Sequence, residues 1–311
     1  MNSNIILYEA KTEADIRRFR AELRAYHARD IFPGDKDREE LAYFLGKEYR
    51  GQIEALRKRE RDPLHFLFLR RDGEEIGFAM PVIYGSEDGK CFLLEFCVYP
   101  AFRGNGTGHA CAEALLAWAR ARGMRYAELS CGGDPRRPRF WGRLGFRPNG
   151  ADEWGEPLML LPPEEDIPLT AERLTEPDGQ LFRLENSFRQ SVGEEPLTEA
   201  EKERLADAVR AGRIVFFAAR RGVRAVGLCS VSAGFSTFAC GEVGSFEDFY
   251  LEPCFRGKGA ARLLANAARD WCREEGIASL TVTCAPCDEG MYRALGFDTP
   301  LGQTLAHLRE G

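Results

Sequence analysis

Two periodicities of apolar residues alternate along the chain, and they recur in the same order twice. Ile16, Phe19, Leu23 and Tyr26 fall at helical spacing behind Thr12 and Asp15, a pair resembling a capping box. Leu205 and Val209 do the same behind Thr198 and Glu201, with Gly212 as the stop. The segments HFLFLRRDGEEIGFAMPVIY, from His65, and IVFFAARRGVRAVGLCSVS, from Ile214, each read as two β runs about a short turn at Gly73 or Gly222, which predicts antiparallel hairpins. A long helix is predicted from about Gly108, with Cys111, Leu115 and Trp118 on one face and Gly123 at its end. Its match places Leu264, Ala268 and Trp271 together and ends at Gly276. AELSC, from Ala127, and SLTVT, from Ser279, follow as strands. A helix joined by short connections to strands on either side implies a parallel pair, whereas the hairpins upstream are antiparallel. Each half is therefore expected to continue as strand, glycine loop, helix, strand, helix, strand. The fold class is α+β: a mixed, mostly antiparallel sheet flanked by helices.

The recurrence is a repeat of whole domains. FLLEFCVYPAFRGNGTGHACAEALLAWARARGMRYAELSC, from Phe92, returns as FEDFYLEPCFRGKGAARLLANAARDWCREEGIASLTVTC, from Phe246. Pro100 and Pro253, Arg103 and Arg256, Trp118 and Trp271, Gly123 and Gly276, and Cys131 and Cys284 all stand 153 residues apart. Leu144 to Phe146 returns at Leu295 to Phe297. The separation is about half of the 311 residues, too long for a solenoid unit and right for two domains. LPPEEDIPLT, from Leu161 to Thr170, has the prolines and acids of an exposed connection. It puts the boundary near Asp166, giving domains 1–165 and 166–311.

Composition narrows the function. Apolar residues are 44%, charged 30% and aromatic 11%, globular proportions that exclude a largely disordered or fibrous chain. A net charge of -6 argues against a nucleic-acid coat or a basic membrane binder, both of which need a cationic field. With no long apolar run and a start, MNSNIILYEAKTEAD, that lacks basic and apolar leader regions, a cytoplasmic protein is expected. The ten cysteines are scattered through helix-like and strand-like segments, so they are expected as reduced thiols.

The chemistry sits where each repeat leaves a strand and opens a helix. Apolar-x-Pro-x-x-Arg-Gly-x-Gly-x-Gly/Ala occurs from Val98 to Gly108 and from Leu251 to Ala261. Glycines let the backbone turn tightly and converge its N–H groups, and the helix N-terminus adds partial positive charge, so a diphosphate can be held without metal. The second loop lacks the Lys-Ser/Thr end of a P-loop. Neither loop lies in the initial strand-helix-strand unit with an acidic ribose reader that a dinucleotide fold uses, which disfavours ATP and NAD.

Here the sequence resembles the GNAT superfamily of acyl-CoA N-acyltransferases. Its signature Gln/Arg-x-x-Gly-x-Gly/Ala matches Arg103, Gly106 and Gly108, and again Arg256, Gly259 and Ala261. Its closing Tyr-x-x-x-Gly-Phe matches Tyr292 to Phe297. The resemblance covers both halves and implies two tandem GNAT domains with acetyl-CoA as acyl donor and no metal. The diphosphate would lie on the amides of Arg103, Gly104, Asn105, Gly106, Thr107 and Gly108, and of Arg256, Gly257, Lys258, Gly259, Ala260 and Ala261. The pantetheine arm would pair beside Val98 and Leu251. In that family the strand before the loop carries a bulge and splays from its parallel neighbour, opening a cleft for thioester and amine.

Direct acetyl transfer to an amine needs a base, an oxyanion donor and an acid for the departing thiolate. Tyr292 matches the family's acid. The base would be Glu247 or Asp248, on adjacent positions that ordinarily face opposite sides of a sheet. Asp248 corresponds to Glu95 in the first half and Glu247 to Leu94. The backbone N–H of Leu251 would be the oxyanion donor. Trp141 stands at the Tyr292 position of the first half, and an indole N–H does not protonate a thiolate. The N-terminal half is accordingly expected to bind cofactor or serve structurally, and the C-terminal half to catalyse, an arrangement similar to tandem members such as mycothiol synthase. Pro135 and Pro286 depart from the family pattern, which often has Asn there.

Other candidates carry less. Cys284 and Cys287 form a single C-x-x-C without the second pair that zinc needs, and His27, His65, His109 and His307 show no ligand spacing. The resulting expectation is an N-acetyltransferase acting on a primary amine of a small molecule or peptide. The rivals are a non-catalytic acyl-CoA sensor or scaffold and a ligase-like aminoacyl transferase on the same doubled fold.

Overall fold

The computed structural model describes residues 5–34, 38–152, 154–163 and 166–302. The chain divides into two compact units, Met1–Pro163 and Glu164–Gly311. In the first, seven strands form one sheet: β1 (Ile5–Glu9), β2 (Leu67–Arg71), β3 (Glu74–Tyr84), β4 (Lys90–Val98), β5 (Tyr126–Ser130), β6 (Arg147–Ala151) and β7 (Pro157–Leu161), in the order β1-β2-β3-β4-β5-β7-β6. Only β4 and β5 run parallel. Alternation along the strands divides the core between two faces. Phe66, Phe68, Phe78 and Cys97 meet Phe19 and Leu23 of α1 (Glu13–Tyr26) and Ile53 of α3 (Lys47–Arg57). Leu67, Ala79 and Leu93 meet Leu115 and Leu116 of α4 (Thr107–Arg120) and Trp141 of α5 (Arg136–Gly142). A short helix, α2 (Arg38–Phe44), precedes α3.

The second unit repeats the plan with five strands: β8 (Leu169–Leu174), β9 (Val215–Arg221), β10 (Arg224–Ser236), β11 (Gly241–Leu251) and β12 (Leu280–Val282), in the order β12-β11-β10-β9-β8, with β11 and β12 parallel. Leu181, Leu184 and Phe188 of α6 (Gly179–Ser191) and Val209 of α7 (Glu199–Arg210) pack on Phe216, Leu228 and Tyr250. Buried Leu264 and Ala268 lie on α8 (Ala260–Glu274), and α9 (Glu289–Ala294) follows β12.

Both hairpins form as the sequence predicts, β2 with β3 and β9 with β10. The caps explain where the helices start. Thr12 Oγ1 accepts from the Asp15 amide at 3.1 Å, and Thr198 and Glu201 complete a reciprocal capping box. The closing strand expected in the second half has no counterpart among the described residues after α9, and residues 303–311 lie outside them. In the first half that strand is β6, and β7 inserts between it and β5, an order the linear pattern does not reveal.

Candidate active site

The site begins where a strand pair separates. β11 pairs with β12 only through Gly244–Leu280, Ser245–Thr281 and Phe246–Val282. Glu247 to Leu251 then continue without a strand on that side among the described residues. β4 leaves β5 in the same way after Phe92–Glu128. On the other edge each motif strand slips register. Leu228 pairs with Tyr250 but Ser230 pairs with Glu247, and Met80 pairs with Glu95 but Pro81 with Leu93. The slip in β11 falls on Asp248, whose φ of 46° is left-handed backbone that a non-glycine residue seldom adopts. The β11 bulge therefore holds Asp248, one of the two candidate bases, whereas in β4 the slip falls on Leu94 and Glu95 stays paired with Met80; beyond each bulge no strand pairs on the splayed side among the described residues.

Past the strands, a single 3₁₀ turn leads into the loop. Gly104, Gly106, Gly257 and Gly259 have φ of 93°, 78°, 71° and 93°. A Cβ at any of the four would meet nothing within 4 Å, so glycine is needed for backbone conformation and the space beside it stays open. Gly106 and Gly259 are the residues before α4 and α8, whose first-turn amides have no carbonyl within the helix to accept them. The amides of Arg103, Thr107 and Arg256, expected to face the ligand, instead donate to the carbonyls of Pro100, Gly104 and Pro253 at 3.3, 3.0 and 3.4 Å; the glycine-turn conformation, the open space and the helix dipole fit a diphosphate. The arginines have a different task. Arg103 Nε donates to the Val98 carbonyl at 2.7 Å, and Arg256 Nε to the Leu251 carbonyl at 3.1 Å, so each guanidinium ties its loop to the strand end. Arg103 also forks onto Asp30 at 3.0 and 2.7 Å. Thr107 Oγ1 accepts from Arg71 at 3.3 Å, and Gly108 leaves room for the Phe140 ring, which a Cβ would approach to 3.2 Å. Val98, Leu251 and Ala260 are buried; Asn105, Ala261 and Lys258 are less so.

The two adjacent acids separate clearly. Glu247 is exposed, whereas Asp248 is half-buried and its Oδ2 accepts from the buried Ser230 hydroxyl at 2.6 Å. Glu185, a carboxyl that the sequence reading missed, comes from α6. It is 7% exposed, and its Oε2 has no hydrogen-bond partner among the described residues. Burial first, and the charge of Asp248 second, push it up to about 7 against a smaller opposing pull from Arg189. The signal was there: Glu185 follows Leu184 and precedes Phe188 on the apolar stripe of its helix. Tyr292 packs its ring against Phe246, Phe249 and Phe297 at 6.4, 6.1 and 6.0 Å. Burial, then the charge of Asp288, push its phenol up to about 12, so it carries a proton at neutral pH. Behind the strand end, Arg224 and Arg183 enclose the buried carboxylate of Glu252 at 2.5 Å each.

The N-terminal unit fills the same positions differently. Trp141 is core, its ring 5.3 Å from Phe96 and 5.1 Å from Phe146. Glu95, the counterpart of Asp248, is hydrogen-bonded to His27 Nε2 at 2.8 Å. His27 opens a single π-helical turn, His27–Ile31, and Asp30 of that turn holds Arg103, so one turn binds both the motif strand and the loop. His65 meets Glu9 and His109 meets Glu113. Cys284 and Cys287 are exposed free thiols, and among the described residues no group of three or more ligating side chains is placed to hold a metal.

The model of the Acetyltransferase (GNAT) family matches this chain twice, over residues 24–146 and 180–297. The matches cover more than half of the chain, one in each unit, and the protein belongs to that family as a tandem acetyltransferase. Among solved structures it is similar to an aminoglycoside acetyltransferase from an uncultured soil metagenomic sample, with 18% identity over 47% of this chain and 97% of that one and a TM-score of 0.40. It is also similar to glucosamine-6-phosphate N-acetyltransferase from Arabidopsis thaliana, with 17% identity over 45% and 99% and a TM-score of 0.40. The PaiA N-acetyltransferase from Thermoplasma acidophilum, solved with coenzyme A, gives 16% identity over 52% and 99% and a TM-score of 0.40. Comparison with curated proteins gives no match. Among the described residues no helix is long and apolar enough to cross a membrane.

Proposed function

We propose that the protein transfers an acetyl group from acetyl-CoA to a primary amine of a small molecule or peptide, with 166–311 as the catalytic domain and 1–165 as a cofactor-binding or structural partner. The observation that carries this is the bulged β11. It sets Asp248 three residues before Leu251, on a strand that parts from its parallel neighbour and runs into a left-handed glycine turn at the start of α8. Acetyl-CoA would supply an activated thioester, held by the amides of Gly257 to Ala261 with its arm along Glu247–Leu251. Asp248, fixed by Ser230, takes the proton of the attacking amine. Of the two acids, its anchored and half-buried position favours it over the exposed Glu247. Glu185 holds a proton near neutral pH behind it. Tyr292, protonated at neutral pH, returns a proton to the leaving sulfur, and the Leu251 N–H serves the oxyanion. Carboxylates at the acceptor side suit a cationic amine.

The test is thiol release from acetyl-CoA across a panel of amines with the full chain. Turnover lost in Tyr292→Phe and kept in Trp141→Phe supports the assignment. Tight coenzyme A binding without turnover for any amine supports instead a non-catalytic acyl-CoA sensor, the reading favoured by Trp141 in the N-terminal half.

A further inference from the structure

An arginine at the end of each hairpin's first strand stands behind each glycine loop. Arg71 closes β2 opposite Glu74, and Arg221 closes β9 opposite Arg224. On β9 the alternation that sets Phe217 beside Trp271 of α8 carries Ala219 and Arg221 to the same face. Each guanidinium lies over the phenylalanine that ends the 3₁₀ turn before its loop. Arg71 Cζ is 5.9 Å from the Phe102 centroid, and Arg221 Cζ is 5.7 Å from that of Phe255. The two phenylalanines keep the 153-residue spacing of the repeat, so the arginines occupy the same place in both units. Their partners differ. Arg71 Nη1 donates at 3.3 Å to the hydroxyl of Thr107, the first residue of α4. The first residue of α8 is Ala260, which has no hydroxyl. Arg221 is 8% exposed, its Nε is buried without a partner, and its side chain makes no hydrogen bond or ion pair among the described residues.

A buried cation without a counter-charge is costly, and a guanidinium cannot relieve the cost by losing its proton. Lys258 brings a second positive charge to the Phe255 ring, its Nζ 5.7 Å from the centroid. Like charges gathered about one ring repel each other until an anion joins them. The backbone leaves work for such a charge, because the Arg256 amide is spent on the Pro253 carbonyl at 3.4 Å. The motif arginines diverge in the same direction. Arg103 is held by Val98 and by both carboxylate oxygens of Asp30, whereas Arg256 reaches only the Leu251 carbonyl and makes no ion pair among the described residues. Arg71 and Arg103 thus spend four N–H groups on protein oxygens, and Arg221 and Arg256 spend one. The two loops share a shape and differ in the donors they leave for a ligand.

We propose that Arg221 is the buried counter-charge for a ligand's diphosphate at the C-terminal loop, and that Thr107 diverts its twin, Arg71, to a structural bond. The chain then holds one diphosphate ligand tightly, at Gly257–Ala261, and the N-terminal loop binds it at least tenfold more weakly. This rests on the reading of the glycine turn as a diphosphate seat, and its test needs no turnover. Coenzyme A and inorganic pyrophosphate are titrated calorimetrically into the full chain, with one tight site per chain expected. Arg221→Met keeps the length of the side chain and removes its charge; it should weaken both ligands at the tight site at least tenfold. Arg71→Met should leave that site within twofold of the parent. Ala260→Ser restores a hydroxyl acceptor for Arg221 and should weaken coenzyme A about threefold. Without ligand, Arg221→Met should unfold at no lower temperature than the parent, since it removes an unpaired buried charge. Equal affinity in Arg221→Met and the parent, an equal loss in Arg71→Met, two equally tight sites, or a loss that comes with a lower unfolding temperature would each overturn the proposal, even with acetyl transfer intact. Coenzyme A held through Arg221 without turnover of any amine would uphold it and refute acetyl transfer. No binding of either ligand by the parent would refute both.

Discussion

Replacing Glu185 by Gln tests the electrostatics of the C-terminal site most directly. In the folded chain the carboxyl is pushed from an ordinary 4.5 up to about 7 by burial and by Asp248, with Arg189 opposing. The other groups on the packed elements, Ser230 and Cys229 of β10 and Tyr250 of β11, are neutral at these pH values. Within that window the native state holds a proton that the unfolded state has released. The unfolded state binds fewer protons there, so stability falls as pH rises. Each pH unit costs about 1.4 kcal/mol, and about 3 kcal/mol is lost across the window. Gln has no such charge. Its advantage over Glu should therefore grow by about 3 kcal/mol between pH 4 and pH 8, whatever constant offset its buried amide adds. Urea titrations at both pH values, read by hydrogen exchange in peptides from β10 and β11, report the C-terminal unit separately. A variant-minus-parent difference that stays the same at the two pH values would refute the reasoning.

Three other outcomes follow from the same geometry. Glu252→Gln should cost about 3–5 kcal/mol at neutral pH, because it removes the buried carboxylate charge that the buried Arg224 and the half-buried Arg183 both hold. Burial alone would raise this carboxyl, but the two arginines hold it below its usual value. The stability it contributes is therefore present above the unfolded value and disappears on acidification through the folded one, and acid titration of parent and variant should converge. Gly77→Ala should destabilise more than Gly227→Ala in paired denaturation curves. A Cβ at Gly77 would stand 2.2 Å from the Cys97 carbonyl oxygen, whereas at Gly227 the 2.2 Å contact is with the movable end of Leu251 and the nearest backbone atom is at 2.7 Å. Tyr292→Phe should lower kcat by about a hundredfold or more and leave coenzyme A affinity within a few-fold, measured by thiol release and calorimetry.

What the linear chain determined is local and repetitive. Hairpins about Gly73 and Gly222, the caps at Thr12 and Thr198, and the glycine turns at Gly104–Gly106 and Gly257–Gly259 are set by neighbours a few residues away, so periodicity and turn chemistry disclose them. Duplication at a spacing of 153 residues disclosed the doubled architecture for the same reason. Choosing between Glu247 and Asp248 needed the bulge, since strict alternation is lost where φ turns positive. His27 and Glu95 lie 68 residues apart, and Glu185 meets Asp248 across a helix–sheet contact, and nothing in local spacing couples such pairs. Burial that shifts a carboxyl or strands a ring nitrogen is a property of packing between distant segments, and only the tertiary structure decides it.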